Sequence, residues 1–308
     1  MKIVYLDSET IGNASLAEIE ALGELVCYPT STKEEALGRV SDCEVLIVNK
    51  VVVDAELMDH APKLRLICES ATGVNNIDVA EAGRRGIPVK NVAAYSTYSV
   101  LQLTWMQILS LLGNGPFYDA EVKDGSYSAF SIFTDATHPF TELAGKTIGI
   151  IGMGNIGMKV AAVAEAFGMK VVYYSTSGTS HCTQYPSLEI QDLLAVSDVV
   201  SIHAPLNDRT KGLIGEKELA MMKPTAILVN MGRGTIVDEA ALAAAVDNGV
   251  IAGAALDVYA VEPLPASSPL LSVAHPERLR LTPHVAWASQ EALDRLVAGV
   301  AANIRNFA

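Results

Sequence analysis

The sequence predicts an α/β protein built from two doubly wound domains with parallel sheets. Three features of the chain point there. Its strand candidates are continuous apolar runs rather than alternating ones, as strands buried on both faces require. These runs alternate with helical segments along the whole chain. One of them, Thr147 to Ile151, runs directly into Gly152-x-Gly154-x-x-Gly157 and an apolar helix from Met158 to Phe167. Glycines at such a turn let the backbone approach a pyrophosphate, and the helix start offers it free N–H groups and a positive dipole end. GxGxxG alone is a weak signal. In the order strand, turn, helix it indicates a dinucleotide site.

The elements read in order as follows. KIVYLD is a strand, and a helix-like run covers Leu16 to Leu22. GELVCYP, KEEALGRV and CEVLIVNK give strand, helix and strand, and a helix follows at Ala55 to His60. LRLICES is a buried strand leading into the turn ATGVNNID, and GIPVKNV is a short further strand. Thr97 to Leu112 is one long apolar helix, stopped by Gly113-Asn114-Gly115-Pro116. Residues 117–142 show little periodicity but carry Phe117, Tyr118, Tyr127, Phe130, Phe133 and Phe140, which suggests a segment packed against something, such as a second subunit. Beyond the glycine loop, MKVVYYS, DVVSIHAPL, PTAILVNMG, IAGAALDVY and LRLTPHVAW are strands, with helices at LEIQDLLAVS, GEKELAMMK and DEAALAAAVDNG. The chain closes on an amphipathic helix, SQEALDRLVAGVAANIRNF.

A length of 308 residues fits two domains of roughly 100–200 residues each. The first ~96 residues form one open α/β unit and residues 97–284 a complete doubly wound one, with the terminal helix expected to return to the first. The active site is expected in the cleft between them, at the carboxyl ends of the strands. With 22 basic and 35 acidic residues the net charge is −13, which argues against a nucleic-acid partner. Cys27, Cys43, Cys68 and Cys182 lack metal-ligand or redox-pair spacing and read as buried free thiols. No signal peptide precedes the first strand and no apolar run reaches the ~18 residues of a membrane span, so a soluble cytoplasmic protein without a metal is expected.

Three polar residues stand at strand ends: Arg233 after AILVN, Glu262 after IAGAALDV and His284 after LRL. Singly, each has a bland reading as a surface charge, a solvated loop residue or a satisfied imidazole. Together, beside a dinucleotide loop, they compose a reaction site. Arg233 can hold a carboxylate by two parallel charge-assisted bonds. His284 can give a proton to a carbonyl oxygen as hydride reaches its carbon, or remove it in reverse. Glu262 beside the imidazole would fix its tautomer and favour the protonated ring.

On ATGVNNID, the Gly152 loop, SIHAPLNDRTKGLIG, ILVNMGRGTIVDE, GAALDVYAVEP and LTPHVAWAS, the chain resembles the D-isomer-specific 2-hydroxyacid dehydrogenases, among them glycerate (hydroxypyruvate), D-lactate and phosphoglycerate dehydrogenases. The resemblance implies a Rossmann domain (97–284) inserted in a flavodoxin-like substrate domain (1–96 plus 285–308), and a homodimer formed through an arm at about 97–142. It implies that Arg233 binds the substrate carboxylate, His284 is the acid/base and Glu262 its partner. It also implies that the backbone of Thr72 and Gly73 helps hold the substrate and that Gly152, Gly154, Asn155, Ile156 and Gly157 lie over the pyrophosphate. Met231, Asp257, Arg233 and His284 would line the nicotinamide end, with Asp257 contacting its amide.

Ser175 departs from the family pattern by standing where NAD-preferring members carry an acid for the ribose hydroxyls. No arginine or lysine follows it closely, and His181 is the nearest cation in sequence, so NAD versus NADP stays open. The turn 71–76 lacks charges that would recognise a substrate phosphate, which favours a small 2-keto acid such as hydroxypyruvate, glyoxylate or pyruvate. Tyr98, Leu101, Trp105 and Trp287 could wall its pocket, with core packing the expected role of Leu101 and Trp105. The rival reading is an NAD(H)-sensing dimeric protein like the co-repressors that share this fold. A third is a hydrolase using bound NAD.

Overall fold

The computed structural model describes residues 1–179 and 181–307, and the chain divides into two compact units. The first comprises Met1–Ser96 and Trp287–Ala308. Its strands are β1 (Lys2–Tyr5), β2 (Glu24–Cys27), β3 (Val45–Val48), β4 (Leu66–Glu69) and β5 (Val89–Lys90), all parallel in the order β2-β1-β3-β4-β5. Successive side chains of a strand face opposite sides of the sheet, and both sides are covered. Ile3, Tyr5, Val45, Ile47 and Leu66 pack with the carboxyl-terminal helix Gln290–Phe307, which contributes Leu296, Val300 and Ile304 at four-residue spacing. Val4, Leu46, Val48 and Ile67 pack on the other side with helices α2 (Lys33–Arg39), α3 (Ala55–Asp59) and α4 (Val79–Arg84).

Local signals start these helices. Thr32 and Glu35 form a reciprocal capping box on α2, and Asp54 and Asp78 cap α3 and α4. Helix α4 has no periodic sequence signature, because VAEAGR is too short to show a period; the one-turn α1 (Ala17–Glu20) sits within the run Leu16 to Leu22. Cys43 and Cys68 are buried, and burial pushes both thiols up to about 12. Cys27 is exposed and Cys182 half-buried, contrary to the uniform burial expected of them.

The second unit is Thr97–Ala286. Its strands are β6 (Thr147–Ile151), β7 (Lys170–Tyr174), β8 (Val199–Ile202), β9 (Ile227–Asn230), β10 (Gly253–Leu256) and β11 (Leu279–Leu281), in the parallel order β11-β10-β9-β8-β6-β7. A single bridge between Tyr173 and Ser187 adds a vestigial strand outside β7. The order reverses between β6 and β8, so the crevice that a doubly wound sheet keeps for its ligand opens where β6 ends.

Helices α5 (Thr97–Leu112) and α7 (Asn155–Ala166) cover one face through Val100, Trp105, Ile108, Val160 and Ala164. Helices α8 (Ile190–Val196), α9 (Glu216–Leu219) and α10 (Glu239–Asp247) cover the other. Trp105 is a core residue, its ring 5.0 Å from that of Phe167, and Leu101 packs against the same core.

Two boundaries differ from expectation. The aperiodic stretch after α5 contains α6 (Gly115–Lys123) and a short 3-10 turn at Ser126–Ala129. Gly113-Asn114-Gly115-Pro116 both stops one helix and starts the next, because Asn114 takes a left-handed φ of 52° and Pro116 fits a helix's first turn. Helix α7 begins at Asn155, inside the glycine motif rather than after it. No helix among the described residues is long and apolar enough to cross a membrane.

Candidate active site

The glycine loop divides its three glycines between two tasks. A Cβ on Gly152 would stand 2.9 Å from the carbonyl oxygen of His203 and 3.0 Å from Ala204, and Gly152 has a φ of +95°. A Cβ on Gly157 would stand 2.3 Å from the Gly152 carbonyl oxygen. Those two are demanded by the close passage of β6, α7 and the loop after β8. Gly154 meets nothing within 4 Å; it caps α7 with no side chain bonded to the helix's first N–H groups. The exposed Gly154 and Asn155 and the half-buried Ile156 therefore border open space at an uncapped helix start, which fits a pyrophosphate. His203, at the end of β8, is kept neutral by burial, its pKa pushed down to about 3. Its Nε2 lies 2.8 Å from Ser201 Oγ, and its Nδ1 has no hydrogen-bond partner among the described residues.

Arg233 rides on a loop with no slack. Asn230, fully buried at the end of β9, accepts the N–H of Gly232 at 3.0 Å and donates to the carbonyl of Arg233 at 3.0 Å. A Cβ on Gly232 would meet the Ala204 carbonyl oxygen at 2.8 Å, and one on Gly234 would overlap the Tyr259 backbone at 1.8 Å. The half-buried guanidinium donates through Nη1 to the Gly232 carbonyl at 2.8 Å. Met231 is buried beside it.

His284 and Glu262 meet: His284 Nδ1 lies 2.7 Å from Glu262 Oε2. The other carboxylate oxygen accepts the N–H of Tyr259 at 2.9 Å, which fixes the plane of the carboxylate. This leaves Nε2 as the ring's outward nitrogen. His284 has a φ of 54°, a left-handed conformation that costs about 1–2 kcal/mol for a residue with a Cβ. Asp257, 1% exposed, holds it there. Its carboxylate accepts from Thr282 Oγ1 at 2.6 Å, Val285 N at 2.9 Å and Ala286 N at 2.8 Å, on both sides of the histidine. Burial raises the Asp257 pKa against these three bonds. The bracing tasks of Asn230 and Asp257 escaped the sequence reading, although a polar residue closing an apolar run was visible in both ILVN and GAALD.

In the first unit, Thr72 and Gly73 lie in the loop after β4. Thr72 Oγ1 donates to Val92 O at 3.0 Å, and Asn91 Nδ2 donates to Thr72 O at 2.6 Å. Asn76 clamps the same loop by donating to Val51 O at 3.1 Å and to Glu69 Oε2 at 3.0 Å. Glu69 is wholly buried, and desolvation pushes its pKa up to about 8. Between the ordinary 4.5 and about 8 the folded chain therefore holds a proton the unfolded chain has lost, so stability falls with rising pH across that window. Glu69→Gln keeps an acceptor for Asn76 and removes the titration. Thermal melts should show the variant more stable than the parent at pH 8 and level with it below pH 4.5; equal pH slopes would refute this.

Ser175 closes β7, and its hydroxyl donates to Thr179 O at 2.6 Å, as that of Ser177 does at 3.0 Å. A cation from outside the loop also reaches it: a Cβ on Gly178 would stand 2.1 Å from Nη1 of Arg209, which comes from the loop after β8. Tyr98 is exposed on α5, and Trp287 belongs to the first unit, its ring 6.5 Å from that of Tyr95.

Comparison with known proteins matches residues 105–286 to the D-isomer specific 2-hydroxyacid dehydrogenase, NAD binding domain. The chain is 36% identical to a glycerate dehydrogenase of Methylorubrum extorquens, over 99% of its length and 96% of the relative's. It is 33% identical to a hydroxypyruvate reductase of Blautia hydrogenotrophica, over 100% and 97% of the two lengths. Among solved structures, a D-lactate dehydrogenase of Aquifex aeolicus in complex with NAD and lactic acid superposes with a TM-score of 0.85 at 27% identity, covering 100% of this chain and 95% of that one.

Proposed function

Because this chain belongs to the D-isomer specific 2-hydroxyacid dehydrogenase family and is an NAD(P)-dependent oxidoreductase, we propose that it reduces a small 2-keto acid of the hydroxypyruvate, glyoxylate or pyruvate class to the D-2-hydroxy acid. One observation carries the chemistry: a histidine forced into a left-handed backbone, with Nδ1 held by Glu262 at 2.7 Å. A surface histidine needs neither feature.

A nicotinamide held at this site would supply the hydride for the keto carbon. Arg233 grips the substrate carboxylate and sets which face of the ketone is presented. His284 Nε2–H donates its proton to the carbonyl oxygen as the C=O bond opens, leaving a C–H and an O–H bond and a neutral imidazole. In reverse, the neutral ring takes that proton back. Glu262 stabilises the ring while it is charged and holds its tautomer. The N–H groups at Thr72 and Gly73 serve the carboxylate; Gly154, Asn155 and Ile156 serve the pyrophosphate, on a loop whose tight turn Gly152 and Gly157 permit. Met231 and Asp257 border the nicotinamide, where Asp257 Oδ2 has a lone pair left for its amide.

The relatives support enzyme rather than co-repressor, being named for reactions. A panel of 2-keto acids, followed by loss of reduced-cofactor absorbance with both NADH and NADPH, tests the reading. Turnover of glyoxylate or hydroxypyruvate supports it, and no turnover on any member overturns it.

We further propose a homodimer in the cytoplasm. Its support is the apolar surface of the arm, where Phe133 is 89% exposed and Phe117, Ile132 and Phe140 are also open, beside Met106 and Leu109 of α5. Sedimentation at the mass of one 32.6 kDa chain would refute the dimer.

A further inference from the structure

The loop after β7 and the arginine lying on it bear on the dehydrogenase reading's open question, the identity of the cofactor. Ser175 ends β7, the strand beside β6, where a doubly wound fold places the adenosine ribose. An acid there binds the 2′-hydroxyl of NAD, whereas an arginine nearby accommodates the 2′-phosphate of NADP. Residues 175–179 read Ser-Thr-Ser-Gly-Thr and contain no carboxylate. Ser175 and Ser177 both donate to the carbonyl of Thr179, which gathers their hydroxyl oxygens 3.2 Å apart.

Onto this loop comes a guanidinium from a distant part of the chain. Nη1, Cζ and Nη2 of Arg209 would stand 2.1, 2.7 and 2.8 Å from a Cβ at Gly178, so the whole planar group rests where a side chain would be. Only glycine, here with a φ of +79°, leaves that place empty. The arm is fixed at its root: Asn207 Oδ1 accepts the backbone N–H of Arg209 at 2.9 Å, and Thr210 beside it is fully buried. The plain alternative is a surface arginine stacked on a peptide. Against it stands the charge balance. In a chain of net charge −13, Arg209 is exposed and makes no ion pair among the described residues. A guanidinium without a carboxylate, placed on a hydroxyl-rich loop without an acid, suits a phosphate dianion.

We propose that Arg209, laid on Gly178 beside Ser175 and Ser177, forms the seat of the adenosine 2′-phosphate, and that the enzyme therefore prefers NADP(H) to NAD(H). The proposal rests on the dehydrogenase reading but concerns a different part of the cofactor from the reacting one. It is tested by calorimetric titration of the whole protein with NADP+, with NAD+, and with adenosine 2′,5′-bisphosphate against AMP. The parent protein should bind the 2′-phosphorylated member of each pair more tightly, with an affinity that falls as salt rises. Arg209→Ala should weaken NADP+ by roughly tenfold to a hundredfold, the loss expected of a charged hydrogen bond, and leave NAD+ within about threefold. Ser175→Asp should invert the preference by repelling the phosphate and binding the diol. Tighter binding of NAD+ by the parent, or an equal loss for both cofactors in Arg209→Ala, would overturn the proposal while leaving the dehydrogenase reading intact. If neither dinucleotide binds, both fall.

Discussion

Replacing His284 with alanine is expected to cut kcat for 2-keto acid reduction by about 100- to 10,000-fold, the usual share of a positioned general acid. Cofactor affinity should change little. The imidazole's ring contact is with Glu262, and the loop around it is held by bonds from Asp257 to Thr282, Val285 and Ala286 that do not involve the side chain. Removing the ring therefore takes away the proton donor and leaves its frame. Alanine at a φ of 54° meets the same backbone strain as histidine, so stability should fall only modestly. Glu262→Gln separates the two parts of the pair. Glutamine can still accept from Tyr259 N but carries no charge to stabilise the imidazolium, so its kcat should fall between parent and His284→Ala. Stopped-flow measurement of a single turnover reads the chemical step directly. A near-normal rate in His284→Ala would remove the residue from the mechanism.

What was legible in the sequence was whatever is local. VLIV, LIC and ILV are continuous apolar runs and lie in strands buried on both faces. The glycine spacing pointed to a turn without side chains, but not to what crowds it: Gly152 lies against His203 and Ala204, and Gly157 against the Gly152 carbonyl. The pairing of His284 with Glu262, 22 residues apart, could be expected because both follow strands of one sheet. What stayed hidden depends on contacts that no spacing encodes. No spacing shows that the Asp257 carboxylate also accepts the backbone N–H groups of Val285 and Ala286, on the loop that bends His284. Arg209 lies 31 residues beyond Gly178 and reaches it because β7 and the loop after β8 lie on the same end of the sheet. Helix α6 was missed for a local reason: the Pro116 that forbids one helix is acceptable in the first turn of the next.

Arg233→Ala is expected to act mainly on substrate binding. Hydrogen bonds to charged groups contribute about 1.5–3 kcal/mol each. Losing a two-bond grip on a carboxylate should therefore lower kcat/KM for 2-keto acids by roughly 100- to 10,000-fold, most of it in KM. The loop should survive the change. What clamps it is the Asn230 side chain on the backbone of Gly232 and Arg233, and the tight fits at Gly232 and Gly234 are also backbone fits. The side chain's own bond, to the Gly232 carbonyl, is short-range and replaceable by water. Arg233→Lys keeps the charge but loses the planar fork, and should recover only part of the affinity. The decisive control is a ketone without a carboxylate. If Arg233 acts by gripping that group, the parent and Arg233→Ala should reduce such a ketone at similar, poor rates, and the two kcat/KM values should converge. If the variant loses as much on the neutral ketone as on the keto acid, the guanidinium acts on the reacting carbonyl or the nicotinamide instead, and the carboxylate assignment is wrong.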